Sequence, residues 1–148
     1  MSQRTHHGME IPADLSRIGQ VRRFATQVMT RYRVPKRPAD EILLALSELV
    51  QNAVEHGAQG RADATIRVRM AFTAGNIVFE VEDSFTSEAI AQDLARRLAE
   101  AGLPDDLESE RGRGLFLVQA MMDRVEVVPL AQGGIVVRGE KKIARRGR

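Results

Sequence analysis

The chain has 148 residues, 43% of them apolar and 28% charged, which is ordinary for one soluble globular domain built on one hydrophobic core. It has no cysteine, which excludes disulfides, thiolate metal sites and cysteine nucleophiles and fits a reducing cytoplasm. Its 22 basic and 20 acidic residues leave a net charge of +2, and no apolar run is long enough to span a membrane.

Met1 to His7 is polar and lacks the apolar centre of a signal peptide, so residues 1–8 are expected to be a flexible end, His6 and His7 with them. Met9 and Ile11 suit a short strand. From about Asp14 to Arg33, Leu15, Ile18, Val21, Phe24, Ala25, Val28 and Met29 recur at helical spacing. Pro35 and Pro38 break that pattern. Pro38 suits the first turn of a second helix, with Asp40 and Glu41 near its positive end. This helix runs to about His56, shows an apolar face of Ile42, Leu46, Leu49, Val50 and Ala53, and can end at Gly57.

Ala64, Ile66, Val68 and Met70 then alternate with Thr65, Arg67 and Arg69, the period of a half-buried strand. Gly75-Asn76 supplies a turn, and Ile77 to Val81 returns. A helix-like stretch from Ser87 to Ala101 carries Ile90, Leu94 and Leu98. A loop rich in charge and glycine leads to Gly114, and a short helix runs from Leu115 to about Met122. Two last strands, Val125–Val128 and Ile135–Arg138, flank the hairpin turn Gln132-Gly133-Gly134. Much of the basic excess falls in Lys141–Arg148, where residues 143–148 read as a solvated tail and no direct nucleic-acid role is expected.

Hairpin-joined strands with helices in blocks between them predict an α+β fold. The expected architecture is a two-layer α/β sandwich, with a mixed, mostly antiparallel sheet covered on one face by helices. Residues 9–142 are expected to form this single domain.

Three places could carry chemistry. Glu48 and Asn52 are one turn apart on the polar side of the second helix, extended by Gln51, Glu55 and His56. An Asn carbonyl is a hard oxygen for Mg²⁺, and a carboxylate can take a proton from an attacking hydroxyl; the same pattern also fits a solvated helix face. Asp83, at a strand end, could accept a hydrogen bond from an amino group or simply begin a turn. Gly112-Arg113-Gly114, ahead of a helix, could bring backbone N–H groups to phosphate or be a flexible joint; it lacks the Gly-Lys-Ser/Thr ending of a Walker loop.

Taken in order, these segments resemble a known family. Glu48-Leu49-Val50-Gln51-Asn52-Ala53-Val54-Glu55-His56-Gly57 resembles the N-box of GHKL (Bergerat-type) ATPases. Glu82-Asp83-Ser84-Phe85 falls at the first glycine box, and Arg111-Gly112-Arg113-Gly114-Leu115-Phe116-Leu117-Val118 resembles the second. Met121 to Val127 looks like the segment that follows in anti-sigma-factor serine kinases. The resemblance covers about Met9 to Lys142.

It implies ATP and Mg²⁺ as cofactors and a role for each matched residue. Asn52 would bind Mg²⁺, Glu48 would be the general base, and Asp83 would read the adenine amino group. Gly112, Gly114 and Leu115 would bring backbone to the phosphates, and the stretch from about Phe85 to Arg113 would be a lid. His56 is read as structural. The implied function is a cytoplasmic anti-sigma factor and serine/threonine protein kinase. It would hold a sigma factor and phosphorylate a STAS-domain antagonist; the resemblance also implies a homodimer and no membrane partner.

Two departures stand out. The first box, usually Asp-x-Gly-x-Gly, reads Asp83-Ser84-Phe85-Thr86-Ser87, which puts bulky Phe85 where backbone is expected near nucleotide. The last strand offers Gly133-Gly134-Ile135 where the family often has a threonine beside the adenine-reading Asp. They motivate an alternative, a partner-switching binding module with weak or no transferase activity. The ATP-binding half of a sensor histidine kinase is a lesser alternative, because no phospho-acceptor helix is seen ahead of the domain.

Overall fold

Strict alternation along the chain builds a sheet with one apolar face. Ile66, Val68 and Met70, and on the next strand Ile77, Phe79 and Val81, are buried on one side. Arg67, Arg69, Glu80 and Glu82 stand on the other, where Arg69 pairs with Glu80 and Glu82 and Arg67 with Glu10. The computed structural model describes residues 5–57, 63–73, 75–99 and 110–143. Its strands are β1 (Thr5–Pro12), β2 (Thr65–Thr73), β3 (Asn76–Asp83), β4 (Arg124–Pro129) and β5 (Ile135–Lys142). They lie in the order β1-β2-β3-β5-β4, and every pairing is antiparallel. The expected two-layer α+β architecture is the one found, with a sheet that is wholly antiparallel among the described strands.

Helices cover the apolar face. Asp14 opens the first helical segment by accepting the Ser16 N–H at 3.0 Å. A 3-10 turn, Leu15–Arg17, precedes α1 (Ile18–Arg31), so the helix expected from Asp14 is split in two. α2 (Lys36–Gly57) carries Pro38 in its first turn, where a missing N–H leaves no intrahelical bond unmade. Ile42, Ala45, Leu46, Leu49 and Val50 of α2 are buried together with Val21, Ala25 and Met29 of α1 and with the sheet. Burying one such side chain fully contributes about 1.5–3 kcal/mol. α3 (Glu88–Ala99) and α4 (Glu110–Met121) complete the layer, α4 packing on α2 and α3 beside β4.

Three boundaries differ from expectation. β1 starts at Thr5, so the edge drawn after residue 8 falls inside a strand paired with β2. His7 is held there: its Nε2 lies 2.7 Å from the Tyr32 hydroxyl, and Tyr32 stacks on Phe72 with ring centroids 4.3 Å apart. At the other end, β5 runs to Lys142 and not Arg138, and its Lys141 pairs with Glu41 at 3.0 Å and donates to the Met121 carbonyl. Residues 144–148 of the expected tail lie outside the described residues. The third difference is the start of α4, at Glu110 and not Leu115.

Candidate functional site

The second helix was expected to carry an acidic and an amide residue on one face, and the packing of α4 gives that face its setting. Glu48 and Asn52 are half-buried, which excludes a freely solvated helix face. Gly114 of α4 lies directly on them. A Cβ added at Gly114 would stand 2.9 Å from Glu48 Oε2 and 3.0 Å from Asn52 Nδ2. The lack of a side chain at 114 is therefore what lets the two helices meet at these polar groups.

This contact also explains the boundary of α4. Read from sequence, Gly112 and Gly114 interrupt a helix. In the fold, both lie within it. A helix that begins at Glu110 has its free N–H groups no later than residue 112, so those of Gly114 and Leu115 fall inside the hydrogen-bonded ladder. The expected presentation of Leu115 as the first helical residue is corrected accordingly. Leu115 is buried and contributes its side chain to a pocket wall.

That pocket gathers residues from six elements and spans about 510 Å³ of space, open solvent included. Leu49, Leu94, Leu115 and Val137 are among its aliphatic walls, and its polar residues are Asn52, Asp83 and Thr86. Aliphatic walls with a few placed polar groups are the usual make-up of a small-molecule site.

Asp83 ends β3 and is almost wholly buried, with 4% exposure. It does begin a turn: Oδ1 accepts the N–H groups of Thr86 at 2.8 Å and Phe85 at 3.1 Å. Oδ2 accepts the Thr86 hydroxyl at 2.9 Å. Burial pushes the Asp83 carboxyl above its ordinary value, the bonds from Thr86 and Phe85 work against that shift, and the Glu82 charge adds to it. The turn is clamped from the last hairpin, where Gly134 donates its N–H to the Thr86 carbonyl at 3.1 Å. A Cβ at Gly134 would lie 2.2 Å from the Asp83 carbonyl oxygen.

Phe85, expected to crowd the site, turns away from it. It is buried in the hydrophobic core and is not part of the pocket lining. The first part of the expected lid is likewise anchored: Ala91 is fully buried, and Ile90 and Leu94 line the pocket. Residues 100–109 of that stretch lie outside the described residues. Sequence reasoning missed Thr86; the signal was its spacing three residues after Asp83, where a hydroxyl and an N–H both reach back to the carboxylate. The pocket thus joins Asn52, Asp83 and Leu115, with Glu48 and Gly114 in contact beside Asn52. Gly112 lies in the first turn of α4.

Comparison with known proteins fits this geometry. Residues 11–139 match the histidine kinase-like ATPase domain. The serine-protein kinase RsbW of Bacillus pumilus is 31% identical over 142 residues, covering 93% of this chain and 85% of the relative. The protein of the same name from Oceanobacillus iheyensis is 28% identical over 147 residues, covering 97% and 90%. Among solved structures, the SiaB–SiaC complex of Pseudomonas aeruginosa contains a chain that matches with a TM-score of 0.73 at 18% identity, over 90% of this chain and 88% of that one. The RsbU and RsbW domains of a Mycobacterium tuberculosis protein match with a TM-score of 0.67 at 20% identity; this chain is 96% covered and spans 34% of that longer one. At such identities the two structures speak for the fold alone. The family match and the relatives together show that the chain belongs to the histidine kinase-like ATPase domain family, in the branch of the RsbW serine-protein kinases.

Proposed function

We propose that the chain is an anti-sigma factor and serine/threonine protein kinase, which binds ATP with Mg²⁺, sequesters a sigma factor and phosphorylates a STAS-domain antagonist. The observation that carries this reading is the single pocket that joins Asn52, Asp83 and Leu115 from three separate elements. The pocket suits ATP chemically. Asp83 offers a buried acceptor for an amino group, aliphatic walls suit a flat ring, and Asn52 offers a hard oxygen beside the Glu48 carboxylate. Bound Mg²⁺ would neutralise charge on the phosphates.

The residues of the chain then have distinct work. Asp83 would accept a hydrogen bond from the adenine amino group, and Asn52 would hold Mg²⁺ through its carbonyl oxygen. Gly112 and Gly114 would bring α4 up to the phosphate end, and Leu115 would pack its side chain against the nucleotide. Glu48 accepts the proton of the acceptor serine or threonine as its oxygen bonds to the γ-phosphorus. The bond from that phosphorus to the β–γ bridging oxygen breaks, and ADP leaves with the bonding pair. Positioning and charge account for the rate, with proton transfer contributing about 10²–10⁴-fold.

A homodimer of this domain belongs to the same reading. The test is calorimetric titration with ATP, with and without Mg²⁺, on wild type and Asn52→Ala, followed by phosphate transfer to the STAS-domain protein encoded nearest the gene. Wild type should bind Mg-ATP and modify a serine or threonine of that protein, and Asn52→Ala should lose the Mg²⁺-dependent part of binding. The first glycine box without its glycines favours a second reading, a binding module without transferase activity. Nucleotide and partner binding with no transfer would select it.

A further inference from the structure

Lys141 stands where a lysine is not expected. It follows Ile135, Val137 and Gly139 on the helix-covered side of β5, and its register partner on β3, Ile77, is fully buried. Its side chain is only 15% exposed. An ammonium so placed is unfavourable unless its donors are used. Nζ donates to the Met121 carbonyl at 2.6 Å and pairs with Glu41 at 3.0 Å. Met121 is the last residue of α4, so the cation meets a free carbonyl at the negative end of that helix. Glu41 belongs to α2. One side chain of the sheet therefore ties α2 to α4.

The tie has a counterpart two turns away. From Glu41 to Glu48 is seven residues along α2, and from Met121 back to Gly114 is seven along α4. Seven residues are about 10.5 Å of helix. The two helices run antiparallel and meet at two points of matched spacing, at Lys141 and where Gly114 rests on Glu48 and Asn52. Just past α4, the Asp123 N–H donates to the Glu140 carbonyl at 2.9 Å, and the Lys142 N–H donates to Asp123 Oδ2 at 2.7 Å. This end of α4 is thus held to β5, and Lys141 adds the link to α2. We infer that Lys141 is a positioning residue: it sets the register of α4 on α2 and thereby keeps Gly114 level with Glu48 and Asn52. The inference rests on the proposed ATP reading and adds to it a residue two helical turns from the site.

The test uses wild type, Lys141→Met, Lys141→Arg, Glu41→Gln and Ile11→Val, each first shown to fold by circular dichroism. Ile11→Val is the control, a small core truncation on β1 at the far edge of the sheet. Calorimetry gives ATP affinity with and without Mg²⁺, and the ratio of the two reports Asn52 in place. Lys141→Met, which keeps most of the stem and loses the donors, should lower that ratio about fivefold. Glu41→Gln, which removes only the ion pair, should lower it about threefold. Lys141→Arg should stay within about twofold of wild type, and Ile11→Val should leave the ratio unchanged however much stability it loses. The second readout needs no nucleotide: the Asn52 side-chain amide resonance should move in Lys141→Met and not in Ile11→Val. An unchanged ratio in both Lys141→Met and Glu41→Gln, or an Asn52 resonance unmoved in Lys141→Met, would overturn the role of Lys141 and leave the ATP reading standing. A wild type whose ATP binding does not respond to Mg²⁺ would overturn both.

Discussion

Gly114 rests against Glu48: a methyl group there would stand 2.9 Å from the carboxylate oxygen Oε2 and 3.0 Å from Asn52 Nδ2. The obstructing atoms are side-chain tips that can move, and alanine is the better helix former by about 0.5–1 kcal/mol. Gly114→Ala should thus fold with stability within about 1 kcal/mol of wild type. It should still lose about tenfold in Mg-ATP affinity, because the proposed base and metal ligand are pushed from their places. Thermal unfolding and calorimetry on the same sample separate the two effects; unchanged affinity contradicts the assignment.

Asp83 gives a prediction whose sign depends on pH. Its folded carboxyl is raised above the ordinary 3.8 mainly by burial, so the folded state holds that proton more tightly than the unfolded chain. The stabilisation from this shift is present below 3.8 and is lost as pH rises through the folded value. At neutral pH the buried charge therefore works against folding. Asparagine removes the charge, keeps Oδ1 for the two N–H groups, and can donate to the Thr86 oxygen. Asp83→Asn should be at least as stable as wild type at neutral pH, with the difference shrinking toward acid, while ATP binding falls more than about tenfold. Melting curves across pH check the first part. A neutral-pH loss of stability that does not change with acidification contradicts it.

The last hairpin supplies a control on the clamp. Gly133 and Gly134 have φ of 97° and 95°, so alanine at either meets a backbone conformation that side chains rarely adopt, at about 1–3 kcal/mol. Only Gly134 has the Asp83 carbonyl within 2.2 Å of the added Cβ; at Gly133 the nearest atom is 3.9 Å away. Backbone cannot give way as a side-chain tip does. Gly134→Ala should cost at least twice what Gly133→Ala costs in urea unfolding and should also impair ATP binding. Equal losses contradict the close approach.

Much of this was legible in the sequence. Period-2 alternation in Thr65–Met70 and period-3.6 spacing in α1 and α2 are strong because burial on one face enforces them. Glu48, Asn52 and Asp83 could be singled out because their type and spacing survive as text. What was not legible depends on contacts distant in sequence. The strand β1 reaches back to Thr5 because β2 offers it a partner, and nothing local in a polar segment signals that. Gly114 looked like a helix breaker, since the reason to keep glycine there lies on α2, some sixty residues away. Phe85 was expected at the nucleotide because position in a motif does not reveal which way a side chain points; the Asp83 turn directs it into the core.

The central claim is that Glu48 takes the proton during phosphoryl transfer at this site. Glutamine keeps the length and a carbonyl acceptor but cannot accept that proton. The most direct measurement is single-turnover transfer of labelled phosphate from ATP to the STAS-domain antagonist, for wild type and Glu48→Gln, with nucleotide and antagonist saturating. The account predicts a rate about 10²–10⁴-fold lower for Glu48→Gln, with ATP and partner affinities within about twofold of wild type. Equal transfer rates for the two proteins would contradict it.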